Sequence, residues 1–236
     1  MLEFLKNKKI LIVVAHPDDE TLGLGGTISK LSTCSEIKVI ILGEGLTSRE
    51  TKRNVNKFKL DLEIHKSNIN KEKSLLGYRE LALHDLPDNR FDIIPLLDII
   101  KVIEREKRTF NPDIIFTHHN GDLNIDHRKT FEAVYTSFRP LPDEKLISII
   151  TFETLSGTEW IPSNDIRKFN PNFFVELESH HINKKIKAME CYDFEKREYP
   201  HPRSSIAIEN RAKMWGNSIG TNFAEPFQII RMISKK

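Results

Sequence analysis

The sequence predicts an α/β protein, a Rossmann-like three-layer sandwich with a mostly parallel central sheet. Three observations predict it. Apolar runs of strand length alternate with helical patterns over the first 140 residues, the order that βαβ units produce. These runs show little polar alternation, as expected of strands covered by helices on both faces. Dense polar clusters follow two of them, at strand ends where such folds bind ligands.

The elements follow in order. Lys9 to Ala15 is a strand of Ile, Leu and Val that ends in a polar cluster. Thr21 to Leu31 is a helix with Leu22, Ile28 and Leu31 as apolar contacts. Ile37 to Leu42 is a second buried strand, and the polar stretch Arg49 to Phe58 is read as a helix. Glu80 to Leu86 is a short strand running into a turn at Pro87 to Asn89. Apolar positions 96, 97, 99, 100 and 103 make Ile93 to Lys107 an amphipathic helix. Asp113 to Thr117 is a third buried strand, and His127 to Phe138 starts another helix. Leu146 to Phe152 and Phe173 to Leu177 are strands, Ile182 to Arg197 and Ser205 to Ile219 helices, and Phe227 to Ile233 a last strand. With no repeat and no long linker, one domain over residues 1–236 is expected.

Composition narrows the class. A chain of 236 residues, 39% hydrophobic, can bury a core. Its 36 basic and 34 acidic residues nearly cancel, so no strong field recruits a nucleic acid. The longest apolar run, Ile10 to Ala15, is far short of the roughly 20 residues of a spanning helix. The N-terminal stretch lacks the apolar region and cleavage site of a secretory signal. Cys34 and Cys191 imply no disulfide framework. The expectation is a cytoplasmic protein with a small-molecule substrate, no nucleic acid and no membrane span. A homo-oligomer is expected only on the general frequency of symmetric assemblies.

Two clusters carry chemistry. His16-Pro17-Asp18-Asp19-Glu20 follows the first strand. Imidazole nitrogen and carboxylate oxygen suit a divalent ion such as Zn²⁺, and the neighbouring carboxylate stays free as a base. Helix capping by Asp18 and Asp19 is the plain alternative. The second cluster runs from Thr117 through His118, His119 and Asp122 to Asn124, Asp126 and His127. His127 completes a His, Asp, His ligand set with His16 and Asp19, leaving a fourth position open as in catalytic zinc sites. Asp126 is either a partner that orients a histidine or a helix cap.

The motif AHPDDE after the first strand, paired with Asp-His late in a loop, resembles the LmbE/PIG-L deacetylases. These are metal-dependent N-deacetylases of N-acetylglucosamine-containing compounds. The element order, Gly23 to Thr27, and Leu42-Gly43-Glu44 fit the same family. The likeness covers about residues 9 to 135 well and the tail more loosely. It implies His16, Asp19 and His127 as metal ligands and Asp18 as general base. Asn124 stands where many members carry a histidine, and it cannot titrate as an acid. The segment Tyr199 to Ser204 looks like the one that supplies a further active-site histidine, so His201 is expected to hold the oxyanion or protonate the amine.

The resemblance therefore implies a zinc-dependent deacetylase of an N-acetyl amino sugar. A hydrolase of another acyl amide and a non-catalytic sugar-binding module are the alternatives. Arg49, Asp88 and Asn124 are the expected substrate contacts. Gly23, Gly25 and Gly26 miss the dinucleotide fingerprint, since Ile28 sits where its third glycine belongs. They are read as allowing close helix-to-sheet packing. Trp160 and Trp215 are read as sugar-stacking or packing residues. His65, His84, His180 and His181 are unassigned.

Overall fold

The computed structural model describes residues 4–142, 145 and 147–233. Seven strands form one sheet: β1 (Lys9–Val14), β2 (Glu36–Gly43), β3 (Glu80–Leu86), β4 (Ile114–His118), β5 (Ser148–Phe152), β6 (Phe173–Leu177) and β7 (Phe223–Arg231). Their order is β3-β2-β1-β4-β5-β7-β6. β7 runs antiparallel to both its neighbours, and the other pairings are parallel. Among the described residues six α-helices accompany them: α1 (Asp19–Leu31), α2 (Lys59–Leu76), α3 (Leu96–Phe110), α4 (Ile125–Ser137), α5 (Ser179–Glu190) and α6 (Ser205–Ile219).

Side chains of β1 alternate between two cores. Ile10, Ile12 and Val14 join Leu22, Ile28, Ile69 and Ile182 on one face. Leu11, Val13 and Ala15 join Ile99, Ile103, Ala133 and Val134 on the other. Burial on both faces is why the strand reads as one apolar run. The expected three-layer α/β sandwich is the fold observed.

The topology fixes where the chemistry gathers. The chain winds from β1 outward through β2 to β3, then returns to the other side of β1 with β4. Ile10 to Val13 pair with Ile114 to Thr117. The reversal opens a crevice beyond the carboxyl ends of β1 and β4, and the two polar clusters follow these strands.

Several expectations need correction. Arg49 to Phe58 is not a helix; only a 3₁₀ turn, Thr47–Arg49, lies there. The real helix, α2, follows it. Its buried stripe is His65, Asn68, Ile69, Glu72 and Leu76. The spacing is helical, but three of the five are polar, so the apolar period was masked. Gly77, at φ 87°, ends the helix, with its N–H bonded to Lys73 O at 2.9 Å. α5 stops at Glu190 rather than Arg197, and β7 begins at Phe223 rather than Phe227. α4 starts two residues before His127, because Asn124 caps it through Asp126 N–H. Leu146, the expected start of β5, lies outside the described residues.

The glycines of α1 serve close packing. A Cβ on Gly23 would lie 2.2 Å from Phe152 Cδ2, and one on Gly26 would lie 2.5 Å from Leu177 Cδ1. Phe152 is fully buried and its ring packs 5.2 Å from that of His118. Gly23→Ala should therefore cost about 1–3 kcal/mol. Thermal melting should show a fall of roughly 2–4 °C per kcal/mol; an unchanged melting temperature would refute the close approach.

A second constraint lies under the first motif. Glu20 and Glu72 are both completely buried. Glu72 accepts hydrogen bonds from Tyr78 Oη at 2.7 Å and Thr21 Oγ1 at 3.1 Å, and Glu20 accepts one from Tyr192 Oη at 2.5 Å. Burial, reinforced by Glu20, pushes Glu72 well above the usual carboxylate range. Burial pushes Glu20 up to about 7. The folded chain thus retains protons that the unfolded chain has lost, so this contribution is full below the ordinary value of about 4.5 and fades as pH rises. Glu72→Gln removes one such proton. Its melting temperature should gain on the wild type between pH 5 and pH 8, roughly the window above that value; parallel curves would contradict this.

Candidate active site

Asp18 occupies the N-cap position of α1 at φ 103°. That left-handed backbone costs a non-glycine residue roughly 1–3 kcal/mol. Its side chain makes no capping bond. Instead Oδ2 accepts from Arg203 Nη1 at 3.0 Å. Asp19 bonds back onto the turn, with Oδ2 accepting from His16 N–H at 2.8 Å. Capping therefore does not account for Asp18.

Two imidazoles converge on Asp19. His16 Nδ1 lies 3.5 Å from Oδ2, and His127 Nε2 lies 3.3 Å from Oδ1. His16, Asp19 and His127 are buried, and their ligand atoms lie within 4.8 Å of one another. The far side of each ring meets another carboxylate. His16 Nε2 is 2.8 Å from Asp126 Oδ2 and 3.3 Å from Asp88 Oδ1. His127 Nδ1 faces Asp122 Oδ1 at 3.1 Å without the alignment of a hydrogen bond. Carboxylates behind histidines orient the rings and raise their basicity in metal sites.

Two imidazole nitrogens and a carboxylate oxygen, turned toward one point and backed by acids, fit a divalent ion such as Zn²⁺. His16, Asp88 and Asp126 also lie within 4.8 Å of one another. In that second grouping the His16 nitrogen is already engaged by Asp126, so its acids support the ring.

The electrostatics follow from this crowding. Burial opposes charge on His16, but the Asp126 and Asp19 carboxylates outweigh it and hold the ring well above its usual value. Burial opposes charge on His127 too, and Asp19 and Asp122 lift it to about 9. Asp19 would be raised by burial, yet His127 holds it well below the usual range. Burial pushes Asp18 well above that range, with Arg203 pulling the other way.

His118 stacks on His127, with ring centroids 3.9 Å apart. Its Nε2 accepts from Ala15 N–H at 3.0 Å, so the proton sits on Nδ1, 3.0 Å from Thr154 Oγ1. The 3.3 Å approach of this Nε2 to Asp19 Oδ2 is therefore proximity, not a hydrogen bond. Burial lowers His118 to about 4, and it stays neutral.

The C-terminal segment brings Arg203 to Asp18. Its Nη1 also meets Glu195 Oε2 at 2.6 Å, and its Nε donates to Ser156 Oγ at 2.8 Å. Glu195 Oε1 in turn pairs with Arg49 Nη2 at 2.8 Å. Arg49, expected to touch substrate, is thus tied into an ion-pair chain. His201 accepts from Arg203 N–H through Nδ1 at 3.1 Å and packs edge-on to Trp160. Arg203, rather than His201, is the side chain of this segment in contact with Asp18. Asp88 is placed against His16, with Oδ2 accepting from Ser48 N–H at 3.2 Å. Asn124 is occupied at both ends, capping α4 and donating to Asn89 Oδ1 at 3.0 Å. Trp215 donates to Glu153, which also binds Arg211, and so serves packing.

Sequence reasoning left His118 unplaced and passed over Asp122 and Arg203. Asp122 sits in the singled-out polar loop, and Arg203 two residues after His201. Their neighbourhoods were visible, but nothing in the order of residues says which side chain turns inward.

Comparison with known proteins now adds to the geometry. The PIG-L (GlcNAc-PI de-N-acetylase) family model matches residues 11–138. The probable N-acetyl-alpha-D-glucosaminyl L-malate deacetylase 2 of Bacillus anthracis is 23% identical over 205 residues, 83% of this chain and 88% of that protein. Among solved structures, the N,N'-diacetylchitobiose deacetylase of Pyrococcus horikoshii superposes with a TM-score of 0.75 at 21% identity, covering 95% of this chain and 84% of that one. The 4-carboxy-2-hydroxymuconate hydratase GalB of Pseudomonas putida reaches 0.69 at 17% identity, covering 96% and 98%. The architecture therefore carries hydration as well as deacetylation, and the fold alone does not choose between them. With more than half its length matched by the family model, the chain belongs to the PIG-L family.

Proposed function

We propose that the protein hydrolyses the N-acetyl group of an amino sugar or sugar conjugate. The family, and relatives named as deacetylases of N-acetylglucosaminyl compounds, support the substrate class. The observation that carries the chemistry is a carboxylate, Asp18, free of the ligand set beside a complete His, Asp, His donor group. A binding module has no need of that extra carboxylate.

His16, Asp19 and His127 would hold the ion, with Asp126 and Asp122 keeping the two rings oriented. A divalent ion such as Zn²⁺ supplies a Lewis acid that polarises an amide carbonyl and acidifies water. Asp18 takes a proton as water adds to the acetamide carbon. It returns that proton to the nitrogen as the C–N bond breaks, giving acetate and a free amine. An amine leaves only once protonated, so acid and base are both needed. Burial raises Asp18 toward the working pH of such a shuttle, and Arg203 fixes the carboxylate while offsetting part of that rise. The proton-donor role expected of His201 passes to Asp18 in this reading, because Arg203 takes the place beside it. Asn124 acts by capping α4 and so placing His127.

Two substitutions separate the roles. Asp18→Asn should keep its metal and lose roughly 10²–10⁴-fold in turnover, the usual worth of general acid–base catalysis. His127→Ala should lose the metal itself. Metal analysis and acetate release on N-acetyl sugars read both. Full activity in Asp18→Asn would remove it as the base, and unchanged metal in His127→Ala would point to another ligand.

A further inference from the structure

The loop that leaves β5, residues 154–159, belongs to neither motif, yet three of its side chains reach the buried cluster. Thr154 Oγ1 lies 3.0 Å from Nδ1 of His118, the ring that stacks on His127. Ser156 Oγ accepts from Arg203 Nε at 2.8 Å, and Arg203 Nη1 donates to Asp18. Thr158 Oγ1 donates to Asp122 Oδ2 at 2.6 Å, and the other oxygen of Asp122 faces His127 Nδ1 at 3.1 Å. Every second residue from Thr154 to Thr158 thus touches a group that lies directly against Asp18 or His127.

The loop is itself pinned. Thr158 Oγ1 accepts from Thr154 N–H at 2.8 Å, and Thr158 N–H donates to Thr154 O at 2.9 Å. The Glu159 carboxylate accepts from Ser156 N–H at 2.6 Å and from Gly157 N–H at 3.2 Å. A Cβ on Gly157 would lie 2.8 Å from Asp122 Oδ1, so the loop backbone sits close against that carboxylate. Ser156 and Asp18, the two residues that Arg203 bridges, both hold a positive φ, 68° and 103°. Backbone of that kind persists where contacts over-determine it.

The two outer bonds lead to different chemistry. The Thr158 bond has the length of a charge-assisted O–H···O⁻ contact. Asn124 N–H donates to the other oxygen of Asp122 at 2.8 Å, so both oxygens of this carboxylate are fixed. A fixed Asp122 holds the His127 ring with Nε2 toward Asp19. Ser156 bonds instead to Arg203, and through it to Asp18.

We propose that this loop positions the two halves of the site separately: Thr158, through Asp122, holds His127 for the metal, and Ser156, through Arg203, holds Asp18 for proton transfer. The proposal rests on the reading that His16, Asp19 and His127 hold a divalent ion and that Asp18 moves the proton. The test uses the full chain. Zn²⁺ affinity is read by competition with a chelating dye, and kcat from acetate release on N-acetyl sugars.

Thr158→Val should weaken Zn²⁺ roughly 10–100-fold, the usual cost of losing a partner behind a metal ligand. Thr158→Ser keeps the hydroxyl and should bind Zn²⁺ like the wild type. Asp122→Asn should weaken Zn²⁺ by itself, and adding Thr158→Val to it should cost little more. Ser156→Ala should keep its Zn²⁺ and lose roughly 10–100-fold in kcat, as expected of a misplaced group. In an Asp18→Asn background the same change should cost nothing further. Wild-type affinity in Thr158→Val, or an equal loss with and without Asp122→Asn, overturns the role of Thr158. Weakened Zn²⁺ in Ser156→Ala overturns the separation of the two halves. An equal kcat loss in the Asp18→Asn background overturns the route through Asp18. Wild-type protein that binds no Zn²⁺ removes the metal reading itself. Bound Zn²⁺ without acetate removes the deacetylase reading and the Ser156 half with it, and leaves the Thr158 half to stand or fall on affinity.

Discussion

The structure turns on one carboxylate. Asp19 stands between His16 and His127, with an imidazole nitrogen within 3.5 Å of each of its oxygens. Its position depends on a chain of constraints that starts in the sheet. β1 and β4 are hydrogen-bonded parallel neighbours that run toward the crevice in the same direction. The loop after β1 supplies His16 and the first residue of α1 is Asp19, while the cap at Asn124 starts α4 in time to present His127. Asp126, the second residue of that helix, reaches back to His16 and also accepts from Phe91 N–H at 2.9 Å. The two motifs are thus cross-braced, Asp126 holding His16 and Asp19 facing His127.

Burying so many ionisable groups in one place is costly unless each is paired. Asp18, Asp19, Asp88, Asp122 and Asp126 all lie within the buried cluster around two histidines. The carboxylates facing His16 and His127 favour their protonated forms against the cost of burial. A divalent ion held by His16, Asp19 and His127 would take over from those protons, since metal binding displaces them from its ligands. Asp18 is treated differently. It is held in a strained backbone conformation, makes no capping bond to the helix and is anchored by Arg203. Strain of this kind persists where surrounding contacts over-determine it, and it clusters at functional sites.

Much of this was legible in the order of residues. β1, β2 and β4 read clearly because helices cover both their faces and little polar alternation interrupts them. The two polar clusters that meet at the candidate site read clearly because charged residues this dense serve no packing purpose at the end of a buried strand. α2 was missed for the opposite reason: its buried stripe holds His65, Asn68 and Glu72, so its periodicity is helical but not apolar. The roles of Arg49 and Arg203 were out of reach. Both stand in polar segments that follow an element, and only the approach of residues 195 to 203 to the first motif shows that one meets Asp18 while the other meets Glu195. Long-range ion pairs leave no local signature.

The central claim is that a divalent ion at His16, Asp19 and His127 drives amide hydrolysis. Metal content and acetate release, measured together on the purified protein with a panel of N-acetyl sugars, test it most directly. The account predicts one bound metal per chain and acetate release that a chelator abolishes and added metal restores. Protein that takes up no metal on reconstitution, or acetate release that survives complete removal of the metal, would contradict it.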